Sequence, residues 1–117
     1  AGALQSYPVL MPSQGSIIRP LVEHMFLEQG LVMPQAPIET VSATFGRRFV
    51  LDHGAIWFIS QGVVRADLAA GAMQELPLDT TSTQGPVGLC IRSEHQLSAT
   101  GARFCTTLRG LCDHLIE

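Results

Sequence analysis

Ala55-Ile56-Trp57-Phe58-Ile59 is apolar at every position, and this run indicates the fold class. A half-exposed antiparallel strand alternates apolar and polar residues, whereas a strand covered on both faces has a continuous apolar run. The stretch is therefore predicted to be a strand of a parallel sheet. Parallel neighbours need long crossover connections, which are usually helices.

The residues upstream fit this requirement, since two short apolar runs alternate there with segments of helical spacing. Tyr7–Met11 and Ile38–Val41 are predicted strands. A first helix follows the turn after Met11 and closes at Gly30, with Pro20 in or near its first turn. A second helix is predicted to begin after Ser42 as N-cap and to end near Gly54.

The residues downstream continue the alternation with shorter elements. One or two helical turns are predicted over 61–70, a short strand over 73–76, a polar loop over 79–86 and a last strand over 87–91. The whole pattern predicts an α/β fold with a mainly parallel sheet flanked by helices.

The helix predicted from Ser98 onward has the most regular apolar spacing in the chain. Such a stripe is typical of a helix that packs against another apolar surface, and Cys105 and Cys112 on it are expected to be buried and inert. The stripe comprises Phe104, Cys105, Leu108, Leu111, Cys112, Leu115 and Ile116.

Composition narrows the class of protein. The chain has 117 residues, 46% of them hydrophobic and 15% charged, which suits one small domain with an apolar core. Its net charge is −3, and its seven basic residues are arginines spread along the chain. We therefore expect no nucleic-acid surface on these residues.

Three cysteines without C-x-x-C spacing indicate neither a disulfide framework nor a zinc ribbon, and they suit the cytoplasm. No apolar run is long enough to span a bilayer, so no membrane association is expected. The N-terminal residues also lack the pattern of a signal peptide.

The sequence contains no motif that indicates an enzyme. The four histidines, His24, His53, His95 and His114, have no histidine or cysteine partner at helical spacing, so we expect no metal site. Nucleophile-elbow, dinucleotide and phosphate-loop motifs are absent, and we expect neither catalytic residues nor a cofactor.

Ligand-binding residues are instead predicted where parallel strands end and helices begin. Backbone amides at such places favour a carboxylate. In an alternative interpretation, Ser16 only caps a helix and Gly15 only makes a turn. The candidate residues are Ser13, Gln14, Gly15, Ser16, Ser42, Thr44 and Ser60.

The chain contains, in this order, Tyr7-Pro8-Val9-Leu10-Met11-Pro12, Ile38-Glu39-Thr40-Val41-Ser42 with Phe45-Gly46-Arg47, Ala55-Ile56-Trp57-Phe58-Ile59-Ser60 with Gly62-Val63-Val64, Leu76-Pro77-Leu78-Asp79-Thr80, and Gly85-Pro86-Val87-Gly88-Leu89. In their order and spacing these segments resemble LysR-type transcriptional regulators, and most closely the subgroup that controls the protocatechuate catabolic operon. Ser60 stands where the general family pattern has a proline.

The resemblance implies a fold and a role. Residues 1–6 would be a linker or terminal remnant, and 7–92 the second subdomain of a type 2 periplasmic-binding-protein-like effector domain. Residues 93–117 would form a helix that normally packs on the first subdomain, absent here. The implied function is sensing of a small carboxylate such as β-ketoadipate in a homo-oligomeric regulator.

In that case operator DNA would be bound only through an N-terminal helix-turn-helix domain outside this chain. An alternative assignment is a subdomain of a periplasmic solute-binding protein, which shares the fold but acts outside the cytoplasm.

Overall fold

The computed structural model describes residues 2–112. His114, Leu115 and Ile116, which figured in the sequence predictions, lie outside the described residues. The chain divides into two compact units, 1–84 and 85–117.

The first unit has alternating strands and helices. In chain order these are α1 (Ala3–Ser6), β1 (Val9–Met11), α2 (Arg19–Glu28), β2 (Ile38–Glu39), α3 (Ala43–His53), β3 (Ile56–Trp57), α4 (Gln61–Ala69) and a 3-10 turn (Thr81–Thr83). The second unit has one helix, α5 (Ala99–Cys112), in its described part.

The strands form a three-stranded parallel sheet in the order β2-β1-β3. Leu10 of β1 lies opposite Ile38 of β2 and Trp57 of β3. The predicted parallel sheet flanked by helices is therefore confirmed. Its most buried strand is β1, however, and not the apolar stretch at 55–59, whose residues are only half-buried. This is because β3 is an edge strand.

The core of the first unit lies between β1 and α2. Phe26 also meets Phe58 edge-on, with ring centroids 5.2 Å apart. Burial of these side chains anchors α2 to the sheet, at roughly 1.5 to 3 kcal/mol for each large apolar side chain. The buried cluster comprises Leu4, Val9, Met11, Val22, Met25 and Phe26.

The predicted helix ends are largely confirmed. The Ser42 hydroxyl oxygen accepts a hydrogen bond from the Phe45 amide at 3.2 Å, as an N-cap should. Gly30 and Gly54 follow α2 and α3, each with a φ of 63° that suits glycine. Helix α2 begins later than expected, with Ile18 as N-cap and no side-chain cap, so the interpretation of Ser16 as a helix cap is wrong.

Neither of the two predicted C-terminal strands forms. Residues 73–76 and 87–91 have no strand structure, and among residues 2–112 neither segment has a partner strand. A lone strand leaves its backbone polar groups without partners. Residues 79–83 instead turn beside the end of α2, where the Gln29 side-chain amide donates to the Asp79 carbonyl at 2.5 Å.

In the second unit, α5 confirms the predicted C-terminal helix. An apolar groove of about 510 Å³ lies between it and residues 89–98. Cys105 is buried, whereas Cys112 is exposed, so the prediction that both cysteines lie in a core is wrong for Cys112. Phe104 and Leu111 are 63% and 54% exposed, so the stripe is covered only in part.

Candidate functional site

Because the strands are all parallel, their carboxyl ends lie at one edge of the sheet. Met11, Glu39 and Trp57 are the last residues of β1, β2 and β3. We call the segments that follow them, 12–18, 40–44 and 58–61, the carboxyl edge. It contains all of the predicted ligand-binding residues.

The first segment of the carboxyl edge is a tight turn. The amide and the hydroxyl of Ser16 both donate to the Ser13 carbonyl, at 3.1 and 2.7 Å. Gly15 has a φ of 84°, which an L side chain rarely adopts. Gln14 and Gly15 are exposed, and among residues 2–112 their amides donate to no backbone oxygen. The turn therefore holds unpaired N–H groups at the solvent surface.

The second segment leads from β2 into α3. The Thr40 amide donates to the Met11 carbonyl at 3.0 Å, which joins this segment to the end of β1. The Thr40 hydroxyl oxygen accepts a hydrogen bond from the Ser42 amide at 3.0 Å. Ser42 caps α3, and Thr44 lies exposed in its first turn. The Ser42 side chain thus has a structural role whether or not it meets a ligand.

The third segment leads from β3 into α4. Ser60 is the N-cap by position, but its side chain makes no capping hydrogen bond. Its carbonyl accepts from the Val63 amide at 3.0 Å. The Ser60 hydroxyl is exposed at the same sheet edge as Ser42 and is free to bind another group.

Arg19 joins these segments and was missed by the sequence analysis. Only 5% of this residue is exposed. Its Nη1 donates to the Pro12 carbonyl at 2.8 Å and to Glu39 Oε1 at 2.6 Å. Its Nε donates to Glu23 Oε1 at 2.8 Å. One guanidinium therefore connects the first segment, β2 and α2.

Only one contact of this network could be predicted from the sequence. Arg19 and Glu23 have the i, i+4 spacing of a helical ion pair. Glu39 is 20 residues from Arg19, and no periodicity relates the two.

Arg47 and Arg48, three and four residues after Thr44 in α3, each pair with an aspartate. Arg47 Nε donates to Asp67 Oδ2 at 3.1 Å and its Nη2 donates to the Val63 carbonyl at 2.6 Å, which joins α3 to α4. Arg48 pairs with Asp52 on the surface of α3, and its side chain is 74% exposed.

Among residues 2–112, no group of three or more histidine, cysteine, aspartate or glutamate side chains could hold a metal ion. None of the helices in that range has both the length and the apolar character needed to cross a membrane.

Comparison with known families identifies the kind of domain that contains this parallel sheet. The family model of the LysR substrate binding domain matches residues 1–113. The chain belongs to this family. The parallel sheet and its carboxyl edge are thus part of a type 2 periplasmic-binding-protein-like domain.

Relatives of this LysR domain are named as HTH-type transcriptional regulators. It is 48% identical over 114 residues to the HTH-type transcriptional regulator PcaQ of Agrobacterium fabrum, and equally so to PcaQ of Rhizobium radiobacter. The match covers 97% of this chain and 37% of each PcaQ protein.

A third relative is more distant. The uncharacterized HTH-type transcriptional regulator YdcI of Escherichia coli is 27% identical over 93 residues, which are 80% of this chain and 30% of that protein. No solved structure matches this chain. The match therefore covers 30 to 37% of the length of these relatives.

Proposed function

We propose that this chain is the effector-sensing part of a LysR-type transcriptional regulator and that its carboxyl edge binds a small carboxylate. The family match and the relatives named as HTH-type transcriptional regulators support a regulatory role. They do not favour a periplasmic solute-binding protein. The regulator acts in the cytoplasm, and this part of it carries no catalytic function.

One observation carries the proposal: the turn at 13–16 and the first turns of α3 and α4 lie at one edge of the sheet. Amides in the first turn of a helix have no acceptor within the helix. Together with the helix dipole they attract an anion. The hydroxyls of Ser42, Thr44 and Ser60 add neutral donors that orient a ligand without enforcing one charge state.

The proposed effector is a metabolite of aromatic catabolism with two carboxylates, such as β-ketoadipate. The resemblance to protocatechuate-operon regulators suggests this class. A dicarboxylate also suits an edge that offers backbone amides at more than one place, since each carboxylate can meet a separate set of amides. The turn at 13–16 and the first turn of α3 are the two sets we assign to it.

Operator DNA is bound, in this proposal, through a helix-turn-helix domain elsewhere in the longer regulator. The charge of −3 on this chain gives it no electrostatic attraction to phosphates. Closure of the effector cleft shifts the arrangement of subunits in a homo-oligomer and hence of the DNA-binding domains. The 117 residues alone should retain an operator no better than random DNA, and specific retention at physiological salt would contradict this.

The test uses the full reading frame that encodes this chain and a titration of β-ketoadipate against operator-driven transcription. Ser16→Ala removes the hydroxyl that braces the turn through the Ser13 carbonyl. Loss of one such hydrogen bond should raise the half-maximal effector concentration about two- to tenfold. Ser6→Ala is the matched control, because the Ser6 hydroxyl makes a similar local bond to the Gly2 carbonyl at 3.0 Å, before the amino end of β1.

An unchanged dose-response curve in Ser16→Ala would remove the turn from the effector site. A wild-type regulator that responds to no dicarboxylate of this class would overturn the proposed effector.

A further inference from the structure

We infer that Arg19 is a positioning residue of the effector site: it holds the turn at 12–18 in place without itself binding the carboxylate. The inference rests on the proposed function, since it assigns a role within the same site. It concerns the network of Arg19, Glu23, Glu39 and the Pro12 carbonyl.

The charges of this network argue against a direct role in anion binding. One guanidinium is paired with two carboxylates, so the network has a net charge of −1. The Arg19 side chain is only 7% exposed, whereas those of Glu23 and Glu39 are 44% and 39% exposed. The guanidinium is therefore largely shielded from solvent and already paired with carboxylates, which argues against contact with the effector carboxylate.

The geometry of the network explains what Arg19 does instead. Its Nη1 donates both to the carbonyl of Pro12, the residue that opens the turn, and to Glu39, the last residue of β2. Arg19 is also the first residue of α2, so it lies at the other end of the turn. The Arg19 side chain thus fixes both ends of the turn relative to β2.

A planar guanidinium can donate to several acceptors in fixed directions, whereas an ammonium is a compact charge on a flexible stem. Lysine at position 19 keeps the charge but should not hold all of these acceptors together. Arg19→Lys therefore separates a geometric role from general electrostatic attraction. Glu39→Gln weakens the connection to β2, and Glu23→Gln weakens only a bond within α2, which makes it the matched control.

The first measurement is hydrogen exchange of the peptide that covers 12–18 in the full regulator without effector. We expect Arg19→Lys and Glu39→Gln to speed exchange there by at least about fivefold, because the turn loses its fixed ends. Glu23→Gln should change it less than about twofold. A purely structural role would raise exchange throughout the core of the first unit instead. Unchanged exchange at 12–18 in both Arg19→Lys and Glu39→Gln would overturn the inference.

The second measurement is the β-ketoadipate response at a temperature well below unfolding of every variant. Arg19→Lys should raise the half-maximal concentration at least about tenfold and Glu39→Gln about threefold, with little change for Glu23→Gln. A normal response in Arg19→Lys would show that charge alone suffices and would overturn the positioning role.

If Arg19→Lys does not fold, Glu39→Gln alone decides both measurements. If the wild-type regulator does not respond to β-ketoadipate, the proposed effector fails, while the exchange measurement still decides the role of Arg19.

Discussion

The indole ring of Trp57 lies against the α-carbon of Gly46, so that a Cβ at position 46 would overlap ring atoms Cζ2, Cε2 and Cη2 of the tryptophan. Gly46 is the buried residue of α3, and Trp57 is the last residue of β3. The contact brings α3 close to β3. A glycine inside a helix otherwise costs stability, so close packing is the physical reason for it here.

Gly46→Ala should therefore destabilise the chain by about 1 to 3 kcal/mol, because overpacking exceeds the gain in helix propensity. Chemical denaturation monitored by tryptophan fluorescence measures the effect. Gly62→Ala is the control, since Gly62 lies in α4 with no atom near its added Cβ. It should be neutral or stabilising by up to about 1 kcal/mol. Equal changes in the free energy of unfolding for Gly46→Ala and Gly62→Ala would show that the Trp57 contact does not affect stability.

The ion pair of Arg47 and Asp67 should stabilise the chain more than the pair of Arg48 and Asp52. The Asp67 side chain is 16% exposed, and its partner Arg47 joins α3 to α4. Arg48 and Asp52, in contrast, both lie on the surface of α3. Asp67→Ala should cost about 1 to 2 kcal/mol and Asp52→Ala no more than about 0.5 kcal/mol. Thermal unfolding of both variants in low and high salt provides the comparison. A larger loss in Asp52→Ala would be inconsistent with this order.

Asp79 should titrate below an ordinary aspartate. The Thr81 hydroxyl donates to its Oδ1 at 2.6 Å, the Thr81 amide donates at 3.0 Å, and both bonds lower the pKa of Asp79. Because the folded-state pKa is the lower one, the stabilising contribution is present above the unfolded-state pKa and is lost as pH falls through the folded-state pKa.

Thr81→Ala should raise the pKa of Asp79 towards its ordinary value, and Thr81→Ser, which keeps the hydroxyl, should not. Carboxyl carbon shifts followed by NMR over the acid range report this pKa directly. The same pKa in Thr81→Ala and Thr81→Ser would show that the side-chain bond is not the main cause.

The exposed apolar face of α5 should drive association of the 117-residue chain. Phe104 and Leu111 lie seven residues apart on one helical face and are largely exposed. Burial of each in a contact with a second copy is worth roughly 1.5 to 3 kcal/mol, and a self-complementary patch gives a two-fold dimer. Light scattering should therefore give a mass of more than one 12.6 kDa chain at high concentration.

Phe104→Glu should shift this equilibrium to the monomer, with an association constant lower by at least about tenfold. Thr106→Glu places the same charge on an exposed residue of the opposite face and is its control. A wild-type chain that stays monomeric at high concentration would rule out this role for the stripe.

Much of the fold could be predicted from local chemistry. The Ser42 cap, the glycines that follow α2 and α3, and the order of strands and helices all depend on neighbours within a few residues. The carboxyl edge followed as well, because parallel pairing alone places the ends of β1, β2 and β3 together.

The position of each strand in the sheet, and whether a strand forms at all, could not be predicted from local chemistry. An apolar run at 55–59 is compatible with a central or an edge strand, and only the pairing order β2-β1-β3 makes β3 an edge. The runs at 73–76 and 87–91 have strand composition, yet a strand forms only where another offers its backbone hydrogen bonds.

The amino-acid sequence alone predicts the α/β class, the parallel sheet and the edge at which its loops meet, because periodicity, caps and turn residues act over short distances along the chain. The packing of separate elements determines which strand is central and which side chains are buried. It also determines that Arg19 reaches Glu39 across 20 residues of chain to hold the turn. Such a contact depends on how separate elements pack, and no local pattern encodes that packing.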